Sequence, residues 1–287
     1  MSTSHELDAS SHQRIYEEKI ARHYLPKSQP QMHPRQPCAV ITGGQPGSGK
    51  SGITAIAIER FHASGCVLAD ADKMRPWHPF YWALMAQDDK LAANLTHPDC
   101  ARWSAQLMRD AVAGRRHLII DQTSRDPAAL AAMTAQLKQA AYRVELHVMA
   151  VPAVISIQRI HQRYEGQRAS NGFGRFSTQD KHDAAYIGVA RTVAWAEAHT
   201  QLDRLCLYDR NVEVIYDNRL ENNQWRQPPL ALPALEAERT RPMTAQEQHA
   251  FIQGFDEVLE LLHERCASPA EIAHVEKLRQ QAMTAAG

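Results

Sequence analysis

The sequence offers no net charge. Lys+Arg and Asp+Glu are both 32 among 287 residues, so no basic field is available for nucleic acid or an anionic membrane surface. Any phosphate binding has to be local. There is no apolar run long enough to span a bilayer. The N-terminal "MSTSHELDASSHQR" lacks the hydrophobic region of a signal peptide. Five cysteines (Cys38, Cys66, Cys100, Cys206, Cys266) are scattered without a C-x-x-C pair. That argues against a disulfide framework or structural zinc and suits a reducing cytoplasm. No internal repeat and no N-K-x-D guanine signature occur, which speaks against a GTPase. What remains is an ordinary soluble composition, 44% apolar and 22% charged, long enough for one large core or a core with an appendage.

Residues 1–37 read as a helical N-terminal extension and linker. Tyr16, Ile20 and Tyr24 recur every four residues on one helix face. "PKSQPQMHPRQP" then blocks regular structure with its prolines. From Cys38 to about 220 the pattern alternates. Strands are expected at "CAVIT", "CVLA" (66–69), "HLIID" (117–121) and "VELHVMAV" (144–151), with two more in "LCLYD" and "VEVIYD". Helices are expected from the glycine loop to about His62, from about Asp99 to Ala113, after Asp126-Pro127, after Pro152, and from about Thr178 to His199. Strands alternating with such helices imply an α/β fold with a mainly parallel sheet flanked by helices. Residues 221–287 read as a proline-rich linker followed by two amphipathic helices. The first opens with the Thr244/Glu247 capping box and carries the stripe Phe251, Phe255, Val258, Leu262. The second opens at Ser268-Pro269 with Ile272, Val275 and Leu278 inward.

"GQPGSGKS", Gly44 to Ser51, satisfies G-x-x-x-x-G-K-[ST] between a strand and a helix. Glycines let backbone N–H groups converge on phosphate oxygens. The helix N-terminus adds its partial positive charge. Gly44, Gln45, Pro46, Gly47, Ser48, Gly49, Lys50 and Ser51 are therefore the expected ATP-binding loop. Lys50 is expected on the β- and γ-phosphates and the Ser51 hydroxyl on Mg²⁺. "GSGKSG" also fits the dinucleotide pattern G-x-G-x-x-G, but the internal Lys-Ser belongs to a phosphate loop.

Ligand groups in a parallel sheet gather at the carboxyl ends of strands. Asp70 and Asp72 lie there after the second strand, and Asp121, Thr123 and Arg125 after the third. Asp70 reads equally as a helix N-cap, and Asp126 more simply as one. Asp121 reads as a carboxylate that holds magnesium through its waters or as an acceptor ligand. Arg159, Arg163, Arg168 and Arg175 form either a solvated face or, with the glycines of "EGQRASNGFGR", a mobile lid over phosphates. Spacing alone leaves these alternatives open.

Together the residues resemble the zeta toxin family of P-loop kinases. The likeness rests on "GQPGSGKS", "DAD" followed by His78-Pro79, a threonine two residues after the third-strand carboxylate, "MAVP" (149–152), "RYE" (163–165), Arg175 and "HD" (182–183). These occur in family order across about Cys38 to Asp217. The resemblance implies ATP- and Mg²⁺-dependent phosphorylation of the 3′-hydroxyl of the sugar in UDP-N-acetylglucosamine, starving cell-wall synthesis. It implies Asp72 as the base or the group orienting the hydroxyl, and Arg163 and Arg175 neutralising the moving phosphoryl group. It puts Asp121 and Thr123 on the UDP-sugar, with Arg125 in the same substrate-binding segment. The family has glutamate where Asp121 stands, so the carboxylate is one methylene shorter. The family also implies a helical antitoxin that blocks the ATP site, either as a partner in trans or, here, in cis by the terminal helices. Those helices equally suit covering a hydrophobic face of the core. Other readings are a small-molecule kinase with a nucleoside, sugar or antibiotic acceptor, and a catalytically silent binding module.

Overall fold

The computed structural model describes residues 5–286, with side chains over 5–281. Seven strands form one sheet in the order β2-β3-β1-β4-β5-β6-β7. β1 (Cys38–Gly43), β2 (Val67–Ala69), β3 (Leu118–Ile120), β4 (Arg143–Met149) and β5 (Arg204–Tyr208) pair in parallel. β6 (Val214–Glu221) and β7 (Gln224–Trp225) close the edge antiparallel. The inner strands are apolar runs because both faces are covered. Ala39 and Ile41 face one core cluster, and Cys38 and Val40 the other.

The N-terminal segment is helical and packs on the core. α1 (Ala9–Ile15) continues through a π-helical stretch, Tyr16–Ala21, into the short α2 (Arg22–Tyr24). Tyr16, Ile20 and Tyr24 are buried in the larger cluster with Trp103 and Leu107. α3 (Lys50–Arg60) covers the back of β1, with Ala57 and Phe61 on Val40. α4 (Ala71–Met74) and α5 (Tyr81–Gln87) lead to α6 (Asp89–Ala113). α6 starts ten residues before the position expected from sequence, because it continues through Pro98. The ring removes the N–H that would reach Asn94 O; in the turn before it, Thr96 Oγ1 bonds Ala92 O at 2.9 Å, and Arg75 bonds Ala93 O. α7 (Pro127–Gln139), α8 (Ala153–Asn171) and α9 (Gln179–His199) complete the kinase-like core.

The expected linker after residue 221 is partly helical. α10 (Ala231–Thr240) seats Ala231 and Leu235 in the larger core. Its Pro233 falls in the first turn, where a missing N–H costs little. α11 (Ala245–Glu264) carries the capping box, and α12 (Pro269–Ala286) follows. Phe251, Phe255, Val258, Leu262 and Val275 pack on Ile53, Met149 and Ile155, with Ile272 and Leu278 against them. Gln158 bonds Phe251 O, and Arg265 pairs with buried Glu165 at 2.7 Å. The apolar stripes are thus spent on the core, chiefly on α8.

Candidate active site

β1 ends at the loop Gly44–Gly49. Gly44, Gly47 and Gly49 have φ of 146°, 78° and 90°, conformations costly for other residues. A Cβ on Gly47 would sit 2.0 Å from Ser156 O. The Gln45 side chain points inward, its Nε2 bonding Val151 O at 2.8 Å and Ser156 Oγ at 3.1 Å. His182 Nε2 lies 2.8 Å from the same hydroxyl and its Nδ1 2.8 Å from Asp183. The "MAVP" and "HD" segments therefore fix the underside of the loop. The first-turn N–H groups of Lys50 and Ser51 have no intrahelical acceptor. Ser48 Oγ is buried with no partner among the described residues, and Ser51 is exposed. Such a cradle of donors suits an anion.

Lys50 is half-buried rather than solvated, with Nζ 2.9 Å from Gly44 O. Burial pushes its ammonium below the usual range, against the pull of Asp121 and Asp72. Asp121 follows β3. Its oxygens accept from Thr42 Oγ1 and Thr54 Oγ1, each at 3.2 Å. Gln122 N and Ser124 Oγ bond Thr42, and Gly44 N bonds Thr123 O at 3.0 Å. The segment after β3 is thereby stapled to the phosphate loop, while Arg125 is exposed at its end.

Asp70 is the N-cap of α4, its Oδ1 accepting from Asp72 N at 2.8 Å. Burial, then Asp121 and Asp72, raise its carboxyl to about 6. Asp72 sits between two guanidiniums. Arg75 Nε bonds one oxygen at 3.0 Å, and Arg175 Nη1 bonds the other. Burial would raise the Asp72 carboxyl, but Arg175 and Arg75 outweigh it and hold it at about 2. Arg75 is buried against α6 and was missed in the sequence reading. Its one signal was a spacing of three from Asp72, the neighbouring position on a helix.

Arg163 projects from α8 beside this cluster, bonding Ser177 Oγ at 3.3 Å, with its Nε buried and without a partner among the described residues. Burial and the Arg175 charge lower it to about 10. The expected lid is mostly helix: residues 165–171 end α8, capped by Gly172. The loop beyond is tied down. Asp89 accepts from Gly174 N, Tyr164 Oη and Arg168 Nη1 at 2.9–3.0 Å. Phe173 lies against Trp82, so the "WHPFYW" run contributes packing here. Arg168 belongs to this anchor rather than to the mouth of the site.

Lys50, Asp72, Arg163 and Arg175 thus converge from four separate segments at the carboxyl end of the sheet. Known proteins resemble the chain as a whole. The chain is 24% identical over 205 residues to toxin PezT of Streptococcus pneumoniae, spanning 71% of this chain and 81% of that protein. It is 24% identical over 183 residues to toxin zeta of Enterococcus hirae, spanning 63% and 64%. A solved structure from the PezAT chromosomal toxin-antitoxin system of S. pneumoniae superposes with a TM-score of 0.74 at 22% identity, covering 90% of this chain and 98% of that one. The AvrRxo1-ORF1:ORF2 structure with ATP gives a TM-score of 0.53 at 13% identity, covering 95% and 84%. These establish the shared fold. The zeta toxin family profile matches residues 22–221, well over half the chain, and the chain belongs to the zeta toxin family.

Proposed function

We propose that this protein is an ATP-dependent kinase that transfers the γ-phosphoryl group to the 3′-hydroxyl of the sugar in UDP-N-acetylglucosamine, and that it acts as a toxin on cell-wall synthesis. The observation that carries the reading is the Asp72 carboxylate, held by Arg75 and Arg175 across from Lys50. Lys50 and the loop N–H groups hold the β- and γ-phosphates. Asp72, ionised at neutral pH, accepts the hydrogen bond of the acceptor hydroxyl and orients it. A carboxyl near 2 is a weak base, but phosphoryl transfer is loose and asks little of one. When Arg175 turns from Asp72 to the γ-phosphoryl, Asp72 becomes more basic. It takes the proton as the new O–P bond forms and the bond to the ADP oxygen breaks. Arg163 and Arg175 neutralise the charge spread over the moving group.

The donors also fit Mg²⁺. The exposed Ser51 hydroxyl lies at the first turn of α3, and Asp121 is fixed behind the loop by Thr42 and Thr54. No cluster of three or more His, Cys, Asp or Glu occurs among the described residues. Mg²⁺ keeps waters and takes one or two protein groups plus phosphates. When bound it neutralises phosphate charge. Asp121 fits this side better than the acceptor, since its oxygens accept from Thr42 and Thr54, on the strand and helix that flank the phosphate loop. Thr123 and Arg125, further out, are then the acceptor contacts.

The related toxin PezT comes from a toxin-antitoxin system, and a helical antitoxin acting in trans is the proposed regulator here. The exposed Ser51 and the burial of the α11 stripe on α8 favour that partner over closure by the chain's own terminal helices. No described helix is long and apolar enough to cross a membrane. The test is phosphorus NMR of the protein with Mg-ATP and a panel of nucleotide sugars, nucleosides and simple sugars. A phosphomonoester on UDP-N-acetylglucosamine alone is expected. Transfer only to other acceptors would move the reading to a different small-molecule kinase, and no transfer at all would leave the silent binding module.

A further inference from the structure

We infer that Arg159 binds the base-and-ribose end of the donor nucleotide, and that the α10–α11 corner positions it through Arg210. The inference rests on the kinase reading and deepens it. It begins at Gly49, the N-cap of α3. A Cβ built there would meet only two neighbours within 4 Å, Arg159 Nη1 at 3.5 Å and Met149 Cε at 3.8 Å. The Arg159 guanidinium therefore lies over the glycine turn of the phosphate loop.

Among the described residues it has no carboxylate within ion-pair distance. Its bond is from Nη2 to Arg210 O at 3.2 Å. Burial and the neighbouring Arg210 charge both push it below the usual range. A half-buried guanidinium bonded to one carbonyl has unused donors, and its planar group can stack. Such a group recognises phosphate or stacks on an aromatic base.

Position chooses the end of the nucleotide. Arg159 and Arg163 are four residues apart on α8, so they share a face about one turn apart, roughly 6 Å. Arg163 sits with Arg175 and Asp72 at the γ end. Arg159 lies one turn away from the acceptor. The loop 209–213 forms the opposite wall: Val212, at φ 69°, sits on Gly52 so closely that a Cβ would meet its Cγ2 at 2.8 Å.

That loop is held by the C-terminal extension. Arg210 is buried; its Nε bonds Glu238 Oε1 at 3.2 Å, and Nη2 reaches Glu238 O and Arg241 O at 3.4 Å. Arg241 pairs with Glu238 at 2.9 Å and with Glu247 at 2.8 Å. Glu247 is the capping-box residue of α11. The chain of contacts runs from α10 and α11 through Arg210 to its carbonyl, then to Arg159 and Gly49. By this route the extension completes the nucleotide site.

The test measures Mg-ATP binding by calorimetry and steady-state kinetics on the full chain. Arg159→Met, which keeps the packing stem, is expected to raise the ATP Kd and KM about tenfold (~1.4 kcal/mol) with kcat within about threefold, the pattern of uniform binding. Arg210→Met is expected to raise Kd less. The double variant should bind no more weakly than Arg159→Met alone, because both act through one group. Glu238→Gln replaces Arg210→Met if the latter does not fold. An unchanged Kd in Arg159→Met overturns the inference, and multiplicative effects in the double variant overturn the role of Arg210. Binding separates this from the kinase reading. Lys50- and Arg159-dependent ATP binding without transfer to any acceptor keeps the inference and ends the kinase. Transfer with a Kd indifferent to Arg159 does the reverse.

Discussion

Two clusters of charge lie on the same sheet and behave oppositely. On the back face, Glu145 of β4 is fully buried among cations. Arg60 bonds it at 2.6 and 3.0 Å, Arg143 at 2.8 Å and Arg204 at 3.5 Å, with His147 at 3.1 Å. Arg204 also takes Asp217 at 2.6 Å. Every guanidinium there has a carboxylate, and Glu145 is held far below the usual carboxylate range. At the carboxyl end of the strands, Lys50 and Arg159 meet carbonyls and Arg163 a hydroxyl. Among the described residues none of the three has an ion-pair partner. A structural cluster satisfies its own charges; this one leaves cations to be satisfied by something else. Partnering, rather than residue type, separates the two.

The sharpest way to break that contrast is Lys50→Ala. We expect phosphoryl transfer to be lost while the melting temperature changes little, since Lys50 bonds only one loop carbonyl. Near-normal turnover would remove the phosphate-loop assignment. Arg175→Ala and Arg163→Ala come next. Arginines on a transferring phosphoryl group are worth ~10³–10⁵ in rate, and a single-turnover assay reads the loss. Asp72→Asn should lower kcat by ~10²–10⁴ with ATP affinity nearly unchanged. Lost ATP binding would make Asp72 a magnesium ligand instead.

Glu145→Gln tests the other side. It leaves Arg60 and Arg143 without their carboxylate on the back face, while Arg204 keeps Asp217. Removing one member of a buried pair costs ~3–5 kcal/mol, less here because Arg60 and Arg143 reach solvent. A lowered denaturation midpoint with kcat intact is expected; a selective loss of kcat would tie the back face to the chemistry.

The smallest effect is in pH dependence. Asp70 stands at about 6 in the fold against its usual 3.8. Between those values the folded state binds more protons, so stability falls as pH rises through that window. Asp72, at about 2, contributes stability that is full above 3.8 and is lost as pH falls toward 2. Asp70→Asn should flatten the first slope and leave the second, as read by denaturant titration from pH 3 to 7.

Much of this was legible in order along the chain. The phosphate loop, the strand ends at Asp72 and Asp121 and the stripe of α11 each depend on neighbours in sequence, where period and capping act. The expectations that changed depended on distant partners. The helix boundary moved because α6 runs through Pro98, held on either side by packing of Ala92, Cys100 and Trp103 that the local sequence does not show. The lid became an anchored turn because Asp89, 85 residues away, takes Gly174 N. α10 was hidden by Pro233 and by Pro228 and Pro229 just before it, and its Leu235 finds a place only on the finished sheet.

The α/β order, the glycine loop and the cation-rich segment follow from local backbone freedom and periodicity, and can be read along the chain. Which cations are left without carboxylates is settled by packing. It paired Asp72 with both Arg75 and Arg175, turned Gln45 inward, and set Arg159 over Gly49. A charge's partner is chosen by the packing of separate elements, and no spacing along the chain records it.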